Sequence, residues 1–246
     1  MTPHDTTSSG NPAPSGFKAV LFDLDDTLYP QQQYILSGFR AVSDYVHNLY
    51  GIHIGDELVA LHQAGEHRDL FMKVLQRHFK VVEETVIGKL LYVHRTHNPR
   101  IELYPDARVS LAMLIARNVR VGLLTDGNAA IQRRKVAALE LEALIDAMVY
   151  PDDLIGSRQS FQLLEDAFQI MALQLGLEPT EMVFVGDNPA VDFFIPRKLG
   201  MGTVRIHRSK GECAGQEAPS PEFEPHATID SLCLLADVLQ TANFKS

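Results

Sequence analysis

Residues 22–30 read Phe22-Asp23-Leu24-Asp25-Asp26-Thr27-Leu28-Tyr29-Pro30 (FDLDDTLYP), and this stretch decides the reading of the chain. It continues from residues 17–22 (FKAVLF), a short apolar run that reads as a buried strand with acidic groups at its C-terminal end. Asp23 and Asp25 flank one apolar residue. If the chain leaves the strand in a tight loop, both carboxylates face one pocket. One can attack phosphorus while the other handles a proton. The competing reading is an acidic turn in which Asp26 or Thr27 caps the following helix.

The same grammar recurs. Residues 119–124 (VRVGLL) run into Thr125, Asp126, Gly127 and Asn128, and residues 182–185 (MVFV) run into Gly186, Asp187, Asn188 and Pro189. A weaker strand at 202–206 (GTVRI) follows, with another candidate at 226–229. Helical periodicity covers 106–117, 130–139, 163–175 and 232–239. Alternating strands and helices predict an α/β fold, a three-layer Rossmann-like core with a parallel sheet. Its ligand site lies beyond the carboxyl ends of the strands, where all three polar clusters belong. Residues 29–100 show no strand pattern. Ile35, Phe39, Val42 and Val46, then Leu58 and Leu61, 70–75 and 86–93, predict an inserted α-helical cap. The expected division is a tail at 1–16, a core of 17–28 and 101–246, and a cap at 29–100.

Composition bounds the partners. The chain has 246 residues, a net charge of -9 and a pI near 5.5, which leaves no basic footprint for a nucleic acid polymer or an anionic membrane. No uncharged apolar run reaches the ~18 residues of a membrane helix. The two cysteines, Cys213 and Cys233, fit no disulfide framework and no metal-ligand spacing, which points to reduced thiols and a cytoplasmic setting. Residues 1–16 are polar and rich in Pro, Gly, Ser and Thr, as in a disordered tail.

Each later cluster adds a function. In LLTDGN (123–128), the Thr125 hydroxyl, followed by Asp126 and Gly127, can bring side-chain and backbone donors to a phosphate oxygen; an ordinary strand-to-helix turn is the alternative. In VFVGDNPAVD (183–192), Gly186 permits a sharp turn, and the Asp187 and Asp192 carboxylates suit magnesium.

Together these motifs resemble the haloacid dehalogenase superfamily over about residues 17–240. Asp23-Leu24-Asp25-Asp26-Thr27 is similar to its first motif, Thr125 to its second, and Gly186-Asp187-Asn188-Pro189 through Asp192 to its fourth. The helical insertion resembles the cap of the family's first structural class. The resemblance implies a phosphatase in which Asp23 attacks the phosphoryl group and Asp25 serves as acid and then base. It implies that Thr125 binds a phosphate oxygen. It also implies Mg2+ held by Asp23, the Asp25 carbonyl and Asp187, with Asp192 acting from behind or through water. Asp25 argues against dehalogenation, because haloacid dehalogenases lack an acid there.

One motif departs from the family pattern. A Lys normally opens the helix before the fourth motif, yet residues 155–168 (IGSRQSFQLLEDAF) contain none. An ungapped count puts Gln162 at that position, and a shift of one turn puts Arg158 there. A cap cation is the third option. Arg68, His94, Arg95 and His97 are candidate substrate contacts, each with a solvated helix face as the alternative. Gln132, Arg133 and Lys135 are expected on the surface of the helix after the second cluster. The function expected is hydrolysis of a small phosphorylated substrate, a sugar phosphate or nucleotide, by a monomer or homodimer. A non-catalytic regulatory relative and a phosphotransferase are the alternatives.

Overall fold

A computed structural model describes residues 16–154, 160–241 and 244. All but the last residue of the tail expected at 1–16, and Arg158, lie outside these residues. The first strand, β1 (Ala19–Phe22), leads into four helices: α1 (Gln31–Tyr50), α2 (Gly55–Gln63), α3 (Leu70–His78) and α4 (Glu84–Thr96). The chain then alternates through α5 (Pro105–Ala116), β2 (Arg120–Leu124), α6 (Ala129–Ala138), β3 (Ala147–Val149), α7 (Ser160–Leu175), β4 (Met182–Gly186), α8 (Phe194–Lys198), β5 (Gly202–Ile206), β6 (Ala227–Ile229) and α9 (Leu235–Thr241). The six strands form one parallel sheet in the order β3-β2-β1-β4-β5-β6. The order reverses at β1, so the switch point lies between β1 and β4.

Alternation along β1 serves both faces of the sheet. Val20 and Phe22 pack with Leu111 and Leu114 of α5, Val136 of α6 and Leu239 of α9. Ala19 and Leu21 pack with Phe168 and Met171 of α7 and Ile195 of α8. Strands covered on two sides need apolar residues at every position, which is why AVLF and MVFVG are continuous runs. Helices α1 to α4 gather a separate core from Phe39, Val42, Val46, Leu58, Phe71, Val74 and Leu90.

A part-buried ion pair fastens the loop after β5 to the start of α5. The Arg208 guanidinium donates to both oxygens of Asp106 (2.7 and 3.1 Å) and to the Thr27 carbonyl (2.9 Å), and lies 3.9 Å over the Tyr104 ring. Burial alone would raise the Asp106 carboxyl, but hydrogen bonds from Arg208 and the Leu232 amide outweigh it and hold the group below the ordinary carboxylate range. Stability from this carboxylate is therefore full above its ordinary range and is lost as pH falls through the depressed native value. Removing one partner strands a part-buried charge. Urea unfolding of Arg208→Ala is expected to show a loss of ~1–3 kcal/mol, less than for a fully buried pair.

Candidate active site

The three polar clusters meet at one edge of the sheet. In register, Phe22 lies opposite Leu123 on one side and Val185 on the other. The next residue of β1 is Asp23, whose amide donates to the Val185 carbonyl at 2.9 Å. Thr125 and Asp187 leave the flanking strands β2 and β4 at nearly the same level. Gly186 is required by close approach, because a Cβ there would run into the Asp192 carboxylate. Asp192 in turn accepts from the Asn188 amide at 2.8 Å, which fixes the turn that presents Asp187.

The site is electrostatically strained. The Asp23 carboxyl is pushed well above the usual range, first by burial and then by the charges of Asp192, Asp25 and Asp187. Burial and then Asp26 raise Asp187 to about 7, and burial is the largest cause at Asp192, also raised to about 7. Mutually repelling, half-enclosed carboxylates of this kind are relieved by a bound cation. Among the described residues no three His, Cys, Asp or Glu side chains close into a complete cage. Sparse oxygen donors are what magnesium takes, since it keeps waters in much of its shell. Carboxylate donors of this kind suit Mg2+, with Asp23 and Asp187 as candidate ligands; the Asp25 carbonyl and an outer place for Asp192 are what the family resemblance adds.

Asp25 is held by groups that the sequence reading had placed elsewhere or passed over. Lys135 Nζ lies 2.7 Å from each of its two carboxylate oxygens. Gln132 Nε2 donates to Asp25 Oδ2 (2.9 Å), and also reaches Thr125 Oγ1 (2.7 Å) and the Asp126 carbonyl (2.8 Å). The fully buried Tyr29 donates its hydroxyl to Asp25 Oδ1. The expectation that Gln132 and Lys135 are surface residues is corrected: they are 3% and 6% exposed. Arg133 does face out, paired with Asp153. The signal was in the helical period. Ala129, Gln132, Lys135 and Val136 form the buried stripe of α6, and the two polar members point the way the apolar ones do.

Other expected residues fall variously. Thr125 is 1% exposed and joined to Asp25 through Gln132. Asp126 is exposed, and its carboxylate accepts from the Gly127 amide at 2.8 Å. Asp26 sits in the left-handed region (φ 50°), and its oxygens accept from the amides of Gln31 and Glu212 at 2.9 and 2.8 Å. It therefore ties the start of α1 to the loop after β5. Gln162 is exposed and donates to Asp166 at 3.1 Å, a turn along α7.

Arg68 and Arg95 are exposed. The expectation of a solvated face for His94 and His97 is corrected. His94 packs among Tyr34, Phe39 and Phe71, and approaches α1 so closely that only glycine fits at position 38. Burial, with His97 beside it, pulls His94 down to about 4, so it is a neutral ring. His97 is buried beside Tyr34. A cavity of about 1070 Å³ opens between α1, α3 and α4, lined by Phe39, Phe71, Ile87 and His94. It meets the core at Asp26, Tyr104, Lys210 and Glu212, and neither Asp23 nor Asp25 lines it.

The fold and site define an α/β protein with paired aspartates at the central switch point of a parallel sheet. The family model described as haloacid dehalogenase-like hydrolase matches residues 17–194, and the chain belongs to that family. It is 26% identical to a glyceraldehyde 3-phosphate phosphatase of Methanocaldococcus jannaschii over 240 residues, covering 91% of this chain and 97% of the relative. It is 26% identical to the pyrophosphatase PpaX of Bacillus cereus over 219 residues, covering 89% and 96%. Its fold matches a predicted phosphoglycolate phosphatase from Haemophilus somnus (TM-score 0.59, 18% identity, 92% and 99% covered). A 2-haloacid dehalogenase from Pseudomonas syringae matches similarly (TM-score 0.59, 21% identity, 91% and 98% covered). No helix among the described residues is long and apolar enough to cross a membrane.

Proposed function

We propose that the chain is a magnesium-dependent phosphatase of a small phosphorylated metabolite, acting through an aspartyl-phosphate on Asp23. The observation that carries this reading is the juxtaposition of Asp23 and Asp187 on adjacent strand ends, with Asp25 two residues beyond the first. Relatives named as phosphatases on a sugar phosphate and on pyrophosphate support the substrate class. In the first step an Asp23 oxygen attacks phosphorus and the bond to the leaving oxygen breaks. That oxygen takes a proton from Asp25. In the second, Asp25 removes a proton from water, whose oxygen attacks the same phosphorus. The bond to Asp23 breaks, restoring its carboxylate and releasing phosphate. Thr125, at the end of β2, is read as a donor to a phosphoryl oxygen. Bound Mg2+ would neutralise charge shared by the phosphoryl group and the carboxylates.

In this reading residues 29–100 cap the site and select the substrate, and the cavity beside α1 receives its non-phosphate part. The unpaired cysteines keep an intracellular setting within the same reading. Phosphate release across a panel of sugar phosphates, nucleotides and phosphoanhydrides, with and without Mg2+, tests it; no release from any of them would refute it. Asp187→Ala should raise the magnesium concentration needed for half-maximal activity by ~10-fold or more, the scale of losing a charged ligand. Wild-type metal dependence in that variant would misplace the metal site.

A further inference from the structure

The Asp25 carboxylate is ringed by donors. Each carboxylate oxygen offers two acceptor sites, about four in all. Oδ1 receives Tyr29 and Lys135, and Oδ2 receives Gln132 and Lys135. A carboxylate so surrounded meets substrate or water freely only when one of these donors withdraws. One donor has to leave. Tyr29 is wholly buried and Gln132 is anchored to Thr125 and the Asp126 carbonyl, whereas Lys135 carries its charge on a flexible four-carbon stem. Its ammonium also lies 4.7 Å over the ring of Tyr34 on α1, between the sheet edge and the helical insertion.

The destination is close. Gln132 Nε2 has two protons for three acceptors, and it bridges Asp25 to the hydroxyl of Thr125. Two hydrogen bonds thus separate the Lys135-bound carboxylate from the expected phosphate ligand. Gln162 of α7 points to Asp166 instead of supplying a charge there.

We infer that Lys135 is a transferable cation: it occupies Asp25 in the resting enzyme and moves to the phosphoryl oxygens when they arrive. One movement supplies positive charge to the anion and frees an Asp25 oxygen, which takes up a proton from solvent and so becomes the acid of the first step. This rests on the phosphatase reading for its role in turnover, but not for its anion-binding part.

Calorimetric titration with inorganic phosphate in magnesium buffer tests the transfer without turnover. Asp25→Asn breaks the ion pair and releases Lys135, so it should bind phosphate more tightly than wild type. Adding Lys135→Met should weaken that affinity about tenfold or more, the loss of a charge-assisted contact. Asp25→Asn leaves the buried Lys135 without its carboxylate, so urea unfolding of each variant accompanies the titration; the double variant removes both charges of the pair. Lys135→Arg in the Asp25→Asn background should keep most of the affinity. Equal affinities for Asp25→Asn and its Lys135→Met derivative would overturn the inference. Phosphate binding that follows the expected order, with no ester hydrolysis by wild type, would instead refute the phosphatase reading and leave the transfer intact.

Discussion

Asp23→Asn is expected to lower kcat by ~10⁴-fold or more while leaving the unfolding midpoint close to that of the wild type. The amide is isosteric, so the hydrogen bond from the Asp23 amide to Val185 and the packing of β1 are kept. What disappears is the anionic oxygen that attacks phosphorus. The substitution also removes one member of a repelling carboxylate group, since Asp192, Asp25 and Asp187 all push the Asp23 carboxyl upward. Stability should therefore hold or rise slightly as activity vanishes. Steady-state kinetics and urea unfolding on the same preparation give both numbers. A variant that kept appreciable turnover would remove Asp23 from the reaction. One that failed to fold would make it structural.

Asp25→Asn should cost ~10²–10⁴-fold in kcat, the range of general acid–base catalysis. The loss in the first step, read from the burst rate or from kcat/KM, should depend on the leaving group. An aryl phosphate leaves as a stabilised anion and needs little help from an acid, whereas an alkyl phosphate must be protonated as it departs. The variant should therefore form the phosphoenzyme readily from the aryl ester and then stall, because the second step still lacks its base. A loss of equal size in both steps and for both esters would mean that Asp25 only shapes the pocket.

Much of this was legible in the sequence because the sheet writes itself in long apolar runs. AVLF, RVGLL and MVFVG end in polar clusters, and in a parallel sheet such ends share one edge. Strand β3 was missed because three residues, AMV, cannot display a period. Helix α8 is five residues long and escaped for the same reason. The error at Lys135 was of another kind. QRRK reads as a solvated charge run, and for Arg133 it is one. Gln132 and Lys135, three residues apart, instead share the inward stripe with Ala129 and Val136. Their partner, Asp25, lies more than a hundred residues earlier, and no local pattern pairs them. His94 and His97 were misjudged because a neutral imidazole packs as an aromatic ring once its neighbours are Tyr34 and Phe71. The absent Lys before α7 points to Arg158, outside the described residues, whereas Lys135 comes from α6 on the other face of the sheet and meets Asp25.

The most direct test of the central claim is to trap the intermediate. Asp25→Asn protein mixed with p-nitrophenyl phosphate and Mg2+, quenched in acid within the first turnover and digested, can be mapped by mass spectrometry. The account predicts a near-stoichiometric burst of nitrophenolate and a phosphoryl group on the peptide that carries Asp23, at that carboxylate. A burst with the phosphoryl group on any other residue, or wild-type hydrolysis that never leaves phosphate on the protein, would contradict it.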